Sequence, residues 1–522
     1  MITNSNNQPA EKVNTSHKFA RNAFFNVTGF VVTFPIILIL TPYMLKVLGK
    51  TQFGIWAIAG VVTSYAQLSE MGMTTAIVKI VAGHWGKREI DRISKVVSTA
   101  LFSFAVIGGI VVITILLTCN FIAVSILKVP PDLQNEVIFV ITWVIIIFYF
   151  NIVFSVFNSI LQGIQRMDIT NSIMVVSKIL NAICLWIFLA AGFGLKGLIL
   201  NSAIFSTLTI LVNIFWVKRL IRGIKVNLLL FSFSEVRRVL KYSINIFISN
   251  LMGLGQDPLN KIILAAYTSL SFVSFYEIGC RVKQMAGQLF GMAIMPLLPA
   301  SADLHSAAKH QEMERIYLSV SRMFYLFAVP AFLLVIVLAE PLVLVWLGKG
   351  YEKAAHAIQF LLLANLFSLM VMPQYIMLQG IGKPHLCTLV AGINGVTNIV
   401  LAIILGHVIG YYGVLSAVVI SLAFASLIMM YLFHRETGFS VIAYIQSLPL
   451  HMMAIGGIFL VGLRIIAHNI IHWEMSNFLG IVLGSSIAYL VITFWLLDKD
   501  DRALFKRITF AVLRRNALFE KS

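Results

Sequence analysis

"EIDRISKVVSTALFSFAV" (89–106) returns further along the chain, without gaps, as "EMERIYLSVSRMFYLFAV" (312–329). The offset is 223 residues, and eight of the 18 positions are identical. Each copy opens on charges and runs into apolar residues, as the mouth of a membrane helix does. A second pair follows in the same order: "LQGIQR" (161–166) and "LQGIGK" (378–383), each with an Asn 19 residues after its Gln, Asn181 and Asn398. Two ordered matches make an internal repeat. The copies lie six apolar spans apart, an even number, so they share one orientation. The repeat is parallel, with its pseudo-axis along the membrane normal.

Outward from these copies, apolar runs of about 20 residues, the length that crosses a bilayer core, recur along the whole chain. Fourteen are predicted: 21–45, 53–80, 96–127, 135–162, 170–193, 196–217, 240–267, 270–300, 316–339, 355–380, 384–408, 411–434, 441–467 and 476–497. The 522 residues are 59% hydrophobic and 11% charged, with mean hydropathy +0.92, more apolar surface than a soluble fold can bury. The expected class is an all-α polytopic membrane protein of about 14 transmembrane helices. Two pseudo-symmetric six-helix lobes carry two extra C-terminal helices. The divisions are a polar N-terminus (1–18), an N-lobe (19–220), a basic linker (221–239), a C-lobe (240–436), the last two spans (437–498) and a basic amphipathic tail (499–522). The run after Arg21 is too long for a signal-peptide core, so the first helix is expected to be retained.

The net charge is +18. With the N-terminus cytoplasmic, 28 of the 39 Lys and Arg fall on the cytoplasmic side, six on the opposite side and five inside spans. That is the positive-inside pattern, and it removes the need for a nucleic-acid partner. Both termini are expected to be cytoplasmic, and the tail to lie on the anionic inner leaflet. Cys119, Cys184, Cys280 and Cys387 are isolated in apolar surroundings and read as small buried residues. The 11 His form no metal-binding spacing.

Charges at bilayer depth are costly, so those that occur need a reason. "SFYEIGCRVKQMAGQ" (274–288) places Glu277, Arg281 and Lys283 within two turns, and the preceding span holds Asp257 and Lys261. Asp257 with Lys261, and Glu277 with Arg281, are spaced i,i+4 and can pair along one helix face. Two readings stand: self-neutralised structural pairs, or a cavity wall with surplus positive charge from Lys178 and Lys283. Polar residues at helical spacing extend the pattern: Asn26 in span 1, Gln67 and Glu70 in span 2, Asn158 in span 4, Gln256 in span 7, Gln284 and Gln288 in span 8. Such stripes serve either as glue between helices or as a wet lining. Lys46 and Lys79, near span ends, read as snorkelling. Pro35, Pro42, Pro258, Pro296 and Pro299 are expected kink positions.

"NAFFNVTGFVVTFPIILILTPYMLKVLGKTQFGIWAI" (22–58), "LSEMGMTTAIVKIVA" (68–82) and the paired "LQGI" resemble the flippases of polysaccharides and lipid-linked oligosaccharides. Their superfamily also holds the multidrug and toxin extruders and the lipid II flippase. The resemblance covers about residues 18–497. Glu70, Gly72 and Lys79 occupy an acidic–small–basic pattern in which relatives carry Asp and Arg. The resemblance implies a V-shaped pair of bundles around a cationic central cavity that holds the diphosphate of a polyprenyl carrier while its glycan passes. It implies a bacterial cytoplasmic-membrane transporter that alternates access and is not an enzyme. Arg281, Lys261, Lys178 and Lys283 would bind the diphosphate, with Glu70, Asp257 and Glu277 as coupling or charge partners. One cation–phosphate contact near 4 Å is worth roughly 4 kcal/mol at an effective dielectric of 20, before desolvation. No cofactor is implied; the coupling ion is left open between a proton and a monovalent cation. Partners are the polyprenyl-diphosphate-linked glycan and membrane lipids, with a polysaccharide polymerase or glycosyltransferases left open. A cation-coupled multidrug extruder is the competing transporter. A membrane enzyme of polysaccharide assembly is the other alternative, disfavoured by short external connections without paired carboxylates.

Overall fold

A computed structural model describes residues 8–70, 72–241, 243, 256–448, 462–463 and 474–496, with side chains between Phe34 and Tyr489. Asn26, nearly half of span 7, most of span 13 and the basic tail lie outside the described side chains or residues. The described chain is helical, and ten of its helices are long and apolar enough to cross a membrane.

Helix α1 runs Gln8–Ala66, 59 residues. Unbroken it would be about 88 Å long, far beyond a bilayer core. Gly49 divides it with φ 75° and ψ 175°, a conformation that glycine adopts without a Cβ clash. The division separates the first two predicted spans. A 3₁₀ turn (Gln67–Glu70) and the left-handed Gly72 (φ 69°) then lead into α2, Met73–Gly86. Next come α3 (Ile90–Phe121), extended by a π turn to Ile126, α4 (Pro131–Gly163), α5 (Met167–Ala190) and α6 (Gly194–Leu220).

After the linker come α7 (Gln256–Tyr267) and α8 (Leu270–Ile294). Pro296, which has no N–H to continue the ladder, separates α8 from α9 (Leu297–Ser306). Pro258 lies in the first turn of α7 as described. Helices α10 (His310–Val337), α11 (Ala339–Leu347), α12 (Glu352–Met370) and α13 (Met372–Gly380) follow. Then come α14 (Pro384–Ile409), α15 (Tyr411–Thr437), α16 (Val441–Ser447) and α17 (Met475–Leu496).

Contacts gather the chain into two units: 1–278 with 391–421, and 279–390 with 422–522. The boundary between these units crosses α8, whose start packs on α1: a Cβ on Gly54 would lie 2.8 Å from the Leu270 carbonyl carbon. In the first unit, α2, α3 and α4 meet over Ile77, Val81, Val97, Phe104, Val156 and Ile160. The outer face of α5 carries exposed Val176, Ile183, Trp186 and Ile187, as a lipid-facing helix does.

The repeat acquires a physical meaning here. Gly163, in the first "LQGI", packs so closely on α2 that a Cβ would meet Val81 Cγ1 at 2.8 Å and the Val78 carbonyl at 3.0 Å. Gly380, in the second, is pressed on α9: a Cβ would stand 2.7 Å from the Leu298 carbonyl and collide with Ser301. Each glycine lets the end of one span touch the backbone of another.

In the second unit a buried aromatic knot ties α16 to α10 and α15. Tyr317 and Tyr444 stack at 5.5 Å, and the Tyr325 and Tyr444 hydroxyls stand 2.7 Å apart. His434 shares Nε2 with the Tyr317 hydroxyl at 3.3 Å and donates from Nδ1 to the Phe439 carbonyl at 3.0 Å.

Candidate functional site

Helices α7 and α8 are joined by a two-residue turn, so their facing sides are in register from the turn inward. Lys261 is six residues before Tyr267 and Glu277 seven after Leu270, which puts both about 10 Å from the turn. Their side chains close an ion pair of 2.7 Å, with 14% and 17% exposure. Lys261 thus bridges to the next helix. Asp257 Oδ1 accepts from the Tyr276 hydroxyl at 3.1 Å, and Asn260 Nδ2 donates to that hydroxyl at 3.1 Å. Tyr276 and Asn260 are fully buried.

Helix α14 completes the cluster. Asn394 Nδ2 donates to Gln256 Oε1 at 3.2 Å; one turn on, Asn398 Nδ2 donates to the Ser421 hydroxyl of α15 at 3.4 Å. Four buried polar atoms here lack a hydrogen-bond partner: Gln256 Nε2, Asn260 Oδ1, Asn394 Oδ1 and Asn398 Oδ1. Buried polar atoms are ordinarily satisfied, so such a concentration marks a place with a task beyond packing. Among the described residues no group of His, Cys, Asp and Glu forms a metal-binding cluster.

The structure therefore brings together Gln256, Asp257, Lys261 and Glu277. Arg281 lies one turn beyond Glu277 on α8, half-buried like Lys283, while Gln284 and Gln288 further on are exposed. Glu70 and exposed Gln67 are in the 3₁₀ turn before α2, where Thr74 donates its hydroxyl hydrogen bond to Glu70. Lys178 is exposed on α5, and Asn158 is half-buried on α4. Part of the span-4 stripe is glue: Ser206 of α6 donates to Asn151 Oδ1 at 2.7 Å, and Asn151 Nδ2 caps its own Ile147 carbonyl at 3.0 Å. Tyr276, Asn394 and Ser421 were not singled out from sequence. The Asn394–Asn398 spacing of one helical turn was the available signal. Cys119, Cys280 and Cys387 are buried as expected, and Cys184 is half-buried.

Three connections meet at the same end of the first unit. Thr51 and Ser271 hydroxyls stand 3.4 Å apart, and Lys50 lies 5.6 Å over the Phe275 ring. Gln52 Nε2 donates to Glu136 at 2.9 Å, and Lys128 lies 5.8 Å over Tyr267.

A helical chain with many membrane-crossing helices and a buried polar cluster defines a multi-pass membrane protein. Its fold is shared with solved transporters. A lipid II flippase, MurJ, in an inward closed conformation matches with TM-score 0.69 at 16% identity, over 89% of this chain and 97% of that one. An inward-facing MATE multidrug transporter of the MOP superfamily matches with TM-score 0.67 at 17% identity, over 77% and 94%. Residues 44–356 match the family described as "Polysaccharide biosynthesis protein", and the chain belongs to that family. Among relatives, a putative O-antigen transporter of Shigella flexneri is 20% identical over 378 residues, 71% of this chain and 87% of the relative. The uncharacterized membrane protein EpsK of Bacillus subtilis (strain 168) is 23% identical over 446 residues, 83% and 86%.

Proposed function

We propose that the protein flips a polyprenyl-diphosphate-linked oligosaccharide or polysaccharide precursor across a bacterial cytoplasmic membrane by alternating access. The carrying observation is the Lys261–Glu277 pair, held about 10 Å inside the α7–α8 turn among polar atoms without partners. A purely structural bundle gains little from ions at that depth, whose desolvation consumes most of their attraction. A diphosphate entering from the membrane gives Lys261 a competing anion, and Arg281, Lys178 and Lys283 supply further cations. Arg offers the planar fork suited to phosphate, Lys a point charge. Glu277, once released, and Asp257 beside the open oxygens of Asn260 and Asn394 accept the proton or monovalent cation that resets the cycle. Membership of the polysaccharide biosynthesis family and the putative O-antigen transporter among the relatives support this substrate class.

The test is flipping of a fluorescent lipid-linked sugar in vesicles, paired with complementation of a deletion strain. Arg281→Ala and Lys261→Ala should each reduce flipping at least tenfold, with the double variant inactive, at unchanged membrane abundance. Normal flipping by all three removes the cationic-site assignment. A deletion strain sensitised to unrelated drugs, with intact surface polysaccharide, would instead establish an extruder.

A further inference from the structure

A concave site shares no lining residue with the α7–α8–α14 cluster. A cavity of about 570 Å³ is lined by Lys79, Ile80, Gly83, His84, Lys87, Arg238 and Lys241. Its volume falls in the range of small-molecule sites, roughly 300–1,000 Å³. One wall is the line Lys79, Gly83, Lys87, spaced i, i+4, i+8 along α2 and its C-cap. The other is the helical segment 233–241, where Arg238 and Lys241 are one turn apart. Four of the seven lining residues are permanent cations, and none is acidic.

Two carboxylates of the adjoining connections are paired. Glu89 accepts from His84 Nδ1 at 2.6 Å and meets Arg92 at 3.7 Å; Glu235 meets Arg238 at 3.7 Å. The His84 hydrogen bond, helped by Arg92, holds the Glu89 carboxyl below the usual carboxylate range, so it stays an anion and keeps His84 turned to it. The positive-inside rule accounts for basic residues in these connections, but not for their convergence on one hollow. Gly83 lines the hollow, and an added Cβ there would meet nothing within 4 Å.

Position along the span selects the ligand. Helix α2 ends at Gly86 and α3 begins at Ile90, so Lys87 stands where two spans leave the membrane. Trp85, partly exposed beside it, suits that interfacial level. Lys79 lies eight residues deeper, about 12 Å along the helix. The hollow therefore spans the depth over which a lipid changes from phosphate to acyl chain, with Ile80 as apolar lining at the deeper end.

We propose that this hollow is a headgroup site for a phosphate-bearing membrane lipid, with the phosphate among Lys87, Arg238 and Lys241 and the chain leaving past Ile80 and Lys79. The same phosphate chemistry is offered by an anionic phospholipid of the leaflet or by the diphosphate of a polyprenyl carrier. The site shares no lining residue with the Lys261–Glu277 cluster and stands whether or not that cluster flips a glycan.

Purified full-length protein in zwitterionic nanodiscs is titrated with phosphatidylglycerol, with undecaprenyl diphosphate and with inorganic diphosphate, and binding is read by native mass spectrometry. A saturable site for one or both lipids is expected, inorganic diphosphate binding more weakly for want of a chain. Lys87→Gln with Lys241→Gln should weaken binding about a hundredfold, a tenfold factor for each lost charge-assisted contact. Gly83→Leu, which fills part of the hollow and leaves every charge in place, should weaken it at least tenfold, while Gly83→Ala binds as the parent. Undecaprenyl diphosphate bound in preference names the carrier as the source; phosphatidylglycerol bound in preference names the leaflet lipid. Loss of binding in the double Gln variant but full binding in Gly83→Leu reduces the effect to diffuse surface charge and overturns the site. Full binding in every variant overturns it too. All variants are first matched to the parent in thermal stability.

Discussion

At the scale of single residues, Lys261 and Glu277 separate stability from function. Each is largely withdrawn from solvent, so removing one breaks a buried ion pair, a loss of about 3–5 kcal/mol. Lys261→Met and Glu277→Leu should each lower the melting temperature of detergent-purified protein. The double variant should regain most of that loss, because an apolar pair of similar volume needs no desolvation. If the pair serves transport, the double variant stays folded and flips nothing; a folded double variant with full flipping makes the pair structural. The sequence made both residues conspicuous, since charges in an apolar run are rare. It did not show their pairing. Spacing within one helix suggests Asp257 as a partner of Lys261; the α7–α8 turn also brings Glu277 to it, and Tyr276 donates a hydrogen bond to Asp257.

At the scale of elements, glycines set how closely spans approach. Gly163 rests against Val78 and Val81 of α2, and Gly380 against Leu298 and Ser301 of α9. Gly163→Val and Gly380→Val should each destabilise the protein by about 1–3 kcal/mol through overpacking. Gly83→Ala, with open space around its Cβ, should cost almost nothing. Thermal unfolding of the three variants decides the point, and equal melting temperatures would refute the close-approach reading. The "LQGI" repeat was visible in the sequence. Its cause was not, because the atoms that forbid a Cβ belong to a helix some 80 residues earlier in each copy. The span-4 stripe illustrates the converse: its polarity was read correctly, yet Asn151 is spent on Ser206 and its own backbone.

At the scale of the whole molecule, the turn after the first span and the turn after the seventh meet at Thr51 and Ser271. An alternating-access cycle requires contacts on one side of the membrane to part as the other side closes. In a background with the four native cysteines replaced, Thr51→Cys with Ser271→Cys should cross-link on oxidation, since the hydroxyls already stand 3.4 Å apart. Flipping should stop when the bridge forms and recover on reduction. A cross-linked protein that flips at the parental rate would show that this contact does not open during the cycle.

By itself the sequence determined the helical membrane class, the recurrence of membrane-length apolar runs, the charge asymmetry and the repeat. All of these follow from transfer free energies and periodicities that belong to residues singly or to one helix at a time. Only the tertiary structure decided that Glu277 pairs with Lys261, that Asn394 and Tyr276 join the buried cluster, why Gly163 and Gly380 must lack a Cβ, and that Lys79, Lys87, Arg238 and Lys241 share one hollow. Those depend on the register between helices, and register is set by packing contacts between residues tens to more than a hundred positions apart.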